Sequence, residues 1–207
     1  MFYLLIPSDT KTFKRPILGG PLTTESLGKD SGLKTIEGFQ GAAFGLADGV
    51  ICILGMIVGV AAATNDLRFI IIAAVTGGIA DALGNSFGFY LSEMTERGAQ
   101  INQIIQGKNT SAHSMREVLV SGILSFVATA FVVVILLVPF FFTTVPVAVF
   151  VASAEAILVL FLLGYYVGRL SRESPIKMAV RYVFVGAIGA ILSYFIGEIL
   201  RDWVLAL

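Results

Sequence analysis

Five long apolar runs dominate the chain, near residues 40–63, 68–92, 118–142, 145–168 and 178–200, and short polar or basic stretches separate them. Each is long enough to cross about 30 Å of hydrocarbon, which takes roughly 20 helical residues. None alternates apolar and polar positions as a barrel strand would, and in lipid every backbone amide must be paired within its own segment, so the runs predict helices. The expected fold is an all-α integral membrane protein with five transmembrane helices, covering residues 38–207. Residues 1–37 carry Pro7, Pro16, Pro21 and a Gly-Gly pair and predict an extended leader, with a short amphipathic stretch through Leu33, Ile36 and Phe39 feeding the first span. Met1 to Ile6 is apolar but too short to span, and no basic start with a cleavage site follows, so no signal peptide is expected.

Composition agrees with this pattern. With 57% hydrophobic and 14% charged residues, the chain lies outside the range of soluble domains, and the bilayer must be treated as its solvent. Charge then sets orientation. Lys11, Lys14, Arg15, Lys29 and Lys34 precede span one; Arg97, Lys108 and Arg116 lie between spans two and three; Arg169, Arg172, Lys177 and Arg181 lie between four and five. Only Arg68 and Arg201 fall on the other side. The positive-inside rule places the amino terminus in the cytoplasm and the carboxyl terminus outside or in a lumen. Tyr90, Tyr165, Tyr166 and Tyr182 at the inner boundary and Trp203 at the outer one suit headgroup level.

Two acids interrupt the apolar pattern, Asp48 in span one and Asp81 in span two. A charge at that depth costs roughly 2.5 to 3.5 kcal/mol even on lenient insertion scales, so an intramembrane carboxylate is a functional hypothesis by default. At 1.5 Å per residue, Asp48 lies about 22 Å below the outer end of span one and Asp81 about 20 Å below Arg68, which places them at nearly the same depth. Helices joined by a short turn are neighbours, so one cation could meet both acids. Asp48, Cys52 and Met56 recur every four residues and share a face; Asp81 and Asn85 are one turn apart. Carboxylate and amide oxygens suit Mg²⁺, Ca²⁺ or Mn²⁺, whereas thiol and thioether sulfur shift preference toward softer divalent ions such as Fe²⁺. Cys52 and Met56 are equally ordinary apolar fillers of a membrane helix. Oxygens that take up either protons or metal supply a means of exchange, in which a proton gradient drives metal the other way.

Other features are less specific. Gly41, Gly45 and Gly49 form a small-residue stripe that suits either a homodimer through span one or close packing within one subunit. Gly186, Gly189, Ser193 and Gly197 form a second such face, expected to be internal. Glu155, in span four, is a second station for protons or metal, or a carboxyl bonded to a neighbouring helix. Glu93 and Glu96 at the inner mouth are either a cytoplasmic entry for cations or an ordinary charged helix end beside Arg97. The single histidine, His113, is expected to be solvated in a loop spanning about 95–117. The endings of spans two and four, GFYLSEMTERG and GYYVGRLSRES, are alike, through either an internal parallel repeat or shared interface chemistry.

Three functional classes remain in view. A secondary transporter of a divalent metal is the leading one. An intramembrane aspartyl protease also needs two acids at matched depth, but Leu-Ala-Asp48-Gly and Ile-Ala-Asp81-Ala lack tyrosine-aspartate and glycine-x-glycine-aspartate signatures. A noncatalytic scaffold, or a transporter of another solute, is the third. The glycines lie in apolar spans and no phosphate-cradling loop is present, so ATP-driven pumping is not expected. Neither an enzyme activity, a bound cofactor nor a nucleic-acid partner is expected; the lipid bilayer, a divalent metal ion and protons are.

FGLADGV opening span one, FGFYLSE closing span two, Pro139-Phe140 ending span three, FLLGYYVGRLS ending span four and VGAIGAILSYFIGEIL in span five together resemble the vacuolar iron transporter family. The resemblance covers roughly 38–200, and its sharpest element is the Asp48-Gly49 pair. It implies a homodimer in which Asp48 and polar groups of span two line a path for Fe²⁺ or Mn²⁺ exported from the cytoplasm against protons. The family often places a glutamate and, two turns on, a methionine in span two; counted back from Tyr90, those places fall at Gly77 and Asn85. Asp81 is this chain's own acid. Many relatives also insert a Glu-rich helical domain between spans two and three, which is absent here, so the chain resembles a short prokaryotic-type member, expected in a plasma membrane rather than a vacuolar one.

Overall fold

A computed structural model describes the backbone of residues 24–108 and 110–205 and the side chains of 40–108 and 110–203. The polar leader expected before residue 24 lies outside the described residues, while residues 24–37 already belong to the first helix. Five helices follow in order: α1 (Thr24–Thr64), α2 (Leu67–Ile105), α3 (Met115–Leu137) with a 3₁₀ turn at Val138–Phe141, α4 (Val145–Leu170) and α5 (Pro175–Leu205). All five are long and apolar enough to cross a membrane.

The helix ends have local causes. At the α1–α2 turn Asn65 adopts a left-handed φ of 49°, which asparagine tolerates, and Asp66 Oδ1 accepts the Arg68 N–H at 2.8 Å to cap α2. Ser114 and Glu117 form a capping box at the start of α3, each side chain accepting the other's backbone N–H. Pro139 cannot continue the α-helical ladder and falls in the 3₁₀ turn that ends α3. Pro146 and Pro175 stand in the first turns of α4 and α5, where a missing N–H costs nothing.

α1 is the central helix and touches all four others; α2 and α3 pack together on it, as do α4 and α5. Val50, Ile53 and Ile57 of α1 are fully buried and meet Ile70 and Ala74 of α2, Val132 and Leu136 of α3 and the alanine row Ala148, Ala152 and Ala156 of α4. Since lipid is as apolar as leucine, close packing rather than a hydrophobic drive selects these contacts, and small residues permit it. Phe87, Phe150 and Ile199 project outward, as lipid-facing side chains do.

One expectation needs correction. α2 does not end near residue 92: at 39 residues it is about 58 Å long, nearly twice the hydrocarbon thickness, and its last turns replace most of the expected loop. An apolar run marks where a helix lies in lipid, whereas the polar continuation through Arg97 and Gln103 keeps the same backbone hydrogen bonds. The connection to α3 shrinks to 106–114. Of the two uses open to the glycine stripe, close packing within the subunit is the one these contacts show. A Cβ on Gly41 or Gly45 would strike the carbonyl oxygen of Ser121 or Ser125, and one on Gly49 would press on Thr129 at 3.1 Å. Gly41, Gly45 and Gly49 therefore seat α3, and a homodimer through α1 would need a different face. The second small-residue face is internal as expected: Gly197 lies against the Gly59 carbonyl, and Ser193 against Gly55.

Candidate metal site

Because α1 and α2 are joined by a two-residue turn and pack along their length, Asp48 and Asp81 face the same seam. The two carboxylates lie near enough to interact electrostatically, and the Cys52 thiol is within reach of Asp81. Asn85, one turn further along α2 and only 8% exposed, donates its Nδ2 to Asp81 Oδ2 at 3.3 Å and to Thr129 Oγ1 of α3 at 3.4 Å. The Thr129 hydroxyl lies 3.0 Å from the Gly45 carbonyl of α1 and 3.1 Å from its own i−4 carbonyl at Ser125. This chain of polar groups ties three helices together at the depth of the two acids.

Met56 completes the column on α1. Its sulfur packs against Gly77, one turn before Asp81 on α2, in the volume a Cβ there would need. Asp48, Cys52, Met56, Asp81 and Asn85 thus line one seam, with two carboxylates, one thiol, one thioether and one amide. Among the described residues, no basic side chain pairs with either aspartate. Two carboxylates sharing a low-dielectric seam without a cation must hold protons or attract a positive ion, since isolated ionised groups there are heavily penalised.

Beyond Cys52, toward Thr64, α1, α2 and α5 enclose an open groove of about 670 Å³. Its lining is almost wholly apolar, apart from Cys52, Thr64 and Ser193. The groove begins beside the seam and leads to the α1–α2 turn.

The remaining sequence candidates separate. Glu155 is not brought to the aspartates; one of its carboxylate oxygens is buried without a hydrogen-bond partner. Glu198, an acid of α5 not among those candidates, makes a two-pronged ion pair with Arg201, at 3.1 and 2.6 Å, near the end of the helix. Glu93 and Glu96 lie in the part of α2 beyond Tyr90, and Glu93 is buried rather than solvated. His113 is not a free loop residue: its ring is largely covered, and Nδ1 lies 3.2 Å from Glu93 Oε2.

Thr129 was missed from the sequence, although a signal exists. Ser121, Ser125 and Thr129 recur at four-residue spacing in an otherwise apolar span, a hydroxyl stripe that marks the face turned to another helix.

The VIT family model matches this chain over residues 39–117 and 106–198. An uncharacterized protein of Methanocaldococcus jannaschii is 29% identical over 177 residues, which covers 79% of this chain and 92% of the archaeal one.

Proposed function

Starting from the fact that the chain belongs to the VIT family, generally a family of metal and iron transporters, we propose that it is a secondary transporter exchanging a divalent transition metal for protons. Fe²⁺ is the foremost substrate and Mn²⁺ the second, carried out of the cytoplasm across a prokaryotic plasma membrane. The observation that carries this reading is the juxtaposition of Asp48 and Asp81 in one intramembrane seam with the Cys52 thiol and the Asn85 amide between and beside them.

The chemistry follows from those groups. Two carboxylates facing each other in a seam without a basic partner can be neutralised by protons or by a metal cation. A divalent cation bound by one oxygen from each carboxylate displaces the two protons they carry, so that metal entry releases protons and proton entry releases metal. Asn85, held by Thr129, keeps the Asp81 carboxylate in one orientation. The sulfurs of Cys52 and Met56 favour Fe²⁺ over Mg²⁺ or Ca²⁺, which take oxygen ligands. Glu155, apart from this seam, serves as a separate proton station. A homodimer accords with the groove beside Cys52 and Met56: a second subunit laid across it would shield the sulfur column from lipid.

The deciding experiment is flux into proteoliposomes of purified protein with Fe²⁺, Mn²⁺, Zn²⁺ and Ca²⁺, with and without a pH gradient. The expected result is proton-coupled flux of Fe²⁺, weaker for Mn²⁺ and absent for Ca²⁺. Metal flux indifferent to the gradient, or retained when both aspartates are replaced by asparagine, would overturn the proposal.

A further inference from the structure

At the opposite end of α2 from its cap, three potential ligands converge. Glu93 and Glu96 lie on successive turns of the helix, and His113 comes from the connection into α3; their nearest ligand atoms all fall within 4.8 Å of one another. Glu93 lies 12 residues beyond Asp81, about 18 Å along the helix, so this cluster is separate from the intramembrane seam. We propose that Glu93, Glu96 and His113 form a second divalent-metal site, specific for borderline transition ions of the Fe²⁺, Co²⁺ and Zn²⁺ type.

The cluster is more than a group of acids. Its members come from two elements, and Glu96 and His113 are each held by a bond outside the metal position. The Gln100 side chain is the pivot: its Nε2 donates to Glu96 Oε1 at 3.2 Å, and its Oε1 accepts the His113 backbone N–H at 2.8 Å. Arg97 Nε donates to the His113 carbonyl at 2.9 Å, which fixes the 106–114 connection, a strap between α2 and α3, from the other side and engages the nearby positive charge with a carbonyl. Such outer partners are what orient metal ligands in built sites. The Ser114–Glu117 capping box begins α3 one residue later, so His113 is positioned at both ends.

The spacing suits a metal. Neighbouring ligands on an ion with bonds of about 2.1 Å sit roughly 3.0 to 3.4 Å apart, and His113 Nδ1 lies 3.2 Å from Glu93 Oε2. Glu96 is exposed, and its side chain would have to rotate about its Gln100 contact to close the remaining distance. Imidazole with two carboxylates selects transition ions over Ca²⁺ and Mg²⁺, and two carboxylates balance the charge of a divalent ion. The buried Glu93 carboxylate, 7% exposed at its side chain, gains a counter-charge. A bound ion would staple the far end of α2 to the entry of α3.

The test uses the full-length protein in detergent, with Asp48→Asn and Asp81→Asn removing the intramembrane ligands, and Co²⁺ as the probe. One equivalent of Co²⁺ should bind, with visible absorption from its d electrons. His113→Ala should weaken that binding at least tenfold. It should not unfold the strap, because both anchors of His113 are backbone atoms. His113→Cys should restore binding and add an intense sulfur-to-cobalt charge-transfer band near the ultraviolet, which a purely structural histidine would not produce. Gln100→Ala should weaken binding without changing the ligand spectrum. Absence of Co²⁺ binding in the double-asparagine background would overturn the proposal. So would equal affinity with and without the His113 ring, or a His113→Cys variant lacking the charge-transfer band.

Discussion

The sulfur of Met56 occupies the space that any side chain at Gly77 would require. The contact makes a direct prediction. Gly77→Ala should destabilise the protein by about 1 to 3 kcal/mol through overpacking. Adding Met56→Ala should recover most of the loss, giving a coupling energy in a double-mutant cycle of thermal unfolding in detergent. Additive effects would show that the two residues are independent.

Replacing either aspartate should silence transport while leaving the fold intact. Asp48→Asn and Asp81→Asn keep shape and remove the exchangeable proton, so proton-coupled Fe²⁺ flux should fall at least a hundredfold, the scale on which losing a functional ionisable group acts. Circular dichroism and elution in detergent should match the unmodified protein. Glu155→Gln, outside the seam, should leave Fe²⁺ affinity unchanged and alter only the pH dependence of flux.

The glycines of α1 are expected to differ sharply from a glycine elsewhere in the bundle. At Gly45 a Cβ meets the backbone carbonyl of Ser125, which cannot rotate away, so Gly45→Ala should force α1 and α3 apart and cost more than about 3 kcal/mol. Gly84 has nothing within 4 Å of its Cβ position, and Gly84→Ala should gain up to about 1 kcal/mol from helix propensity. Opposite shifts in unfolding midpoint are the expected readout.

Thr129 connects the site to the packing. Thr129→Val keeps the volume but removes both an acceptor for Asn85 and a donor to α1, so a loss of about 0.6 to 2 kcal/mol is expected for interhelical bonds in a membrane. The variant should also lower Fe²⁺ affinity, because Asn85 loses its anchor. Thr129→Ser should behave nearly as the parent in both measurements.

Much of this was legible in the residues. The number of spans and the shared faces of Asp48, Cys52 and Met56, and of Asp81 and Asn85, follow from apolar run length and the helical period, both local properties of the chain. The extent of α2 was not legible, because a helix leaving the membrane keeps its hydrogen bonds while its composition turns polar, and hydropathy registers only the second. His113 was misjudged for a related reason: a lone histidine among polar neighbours gives no hint of a Glu93 that lies 20 residues away and is brought beside it by the return of the strap.

The sequence by itself determined that lipid is the solvent, that five helices cross it, and that two carboxylates stand at one depth, since these depend on length, composition and the rise per residue. Which helix each face meets was decided only in three dimensions. A stripe such as Gly41, Gly45 and Gly49 serves a second subunit as well as it serves α3, and in lipid no hydrophobic drive distinguishes the two. The backbone carbonyls of Ser121 and Ser125, close enough to exclude any side chain on that stripe, made the choice.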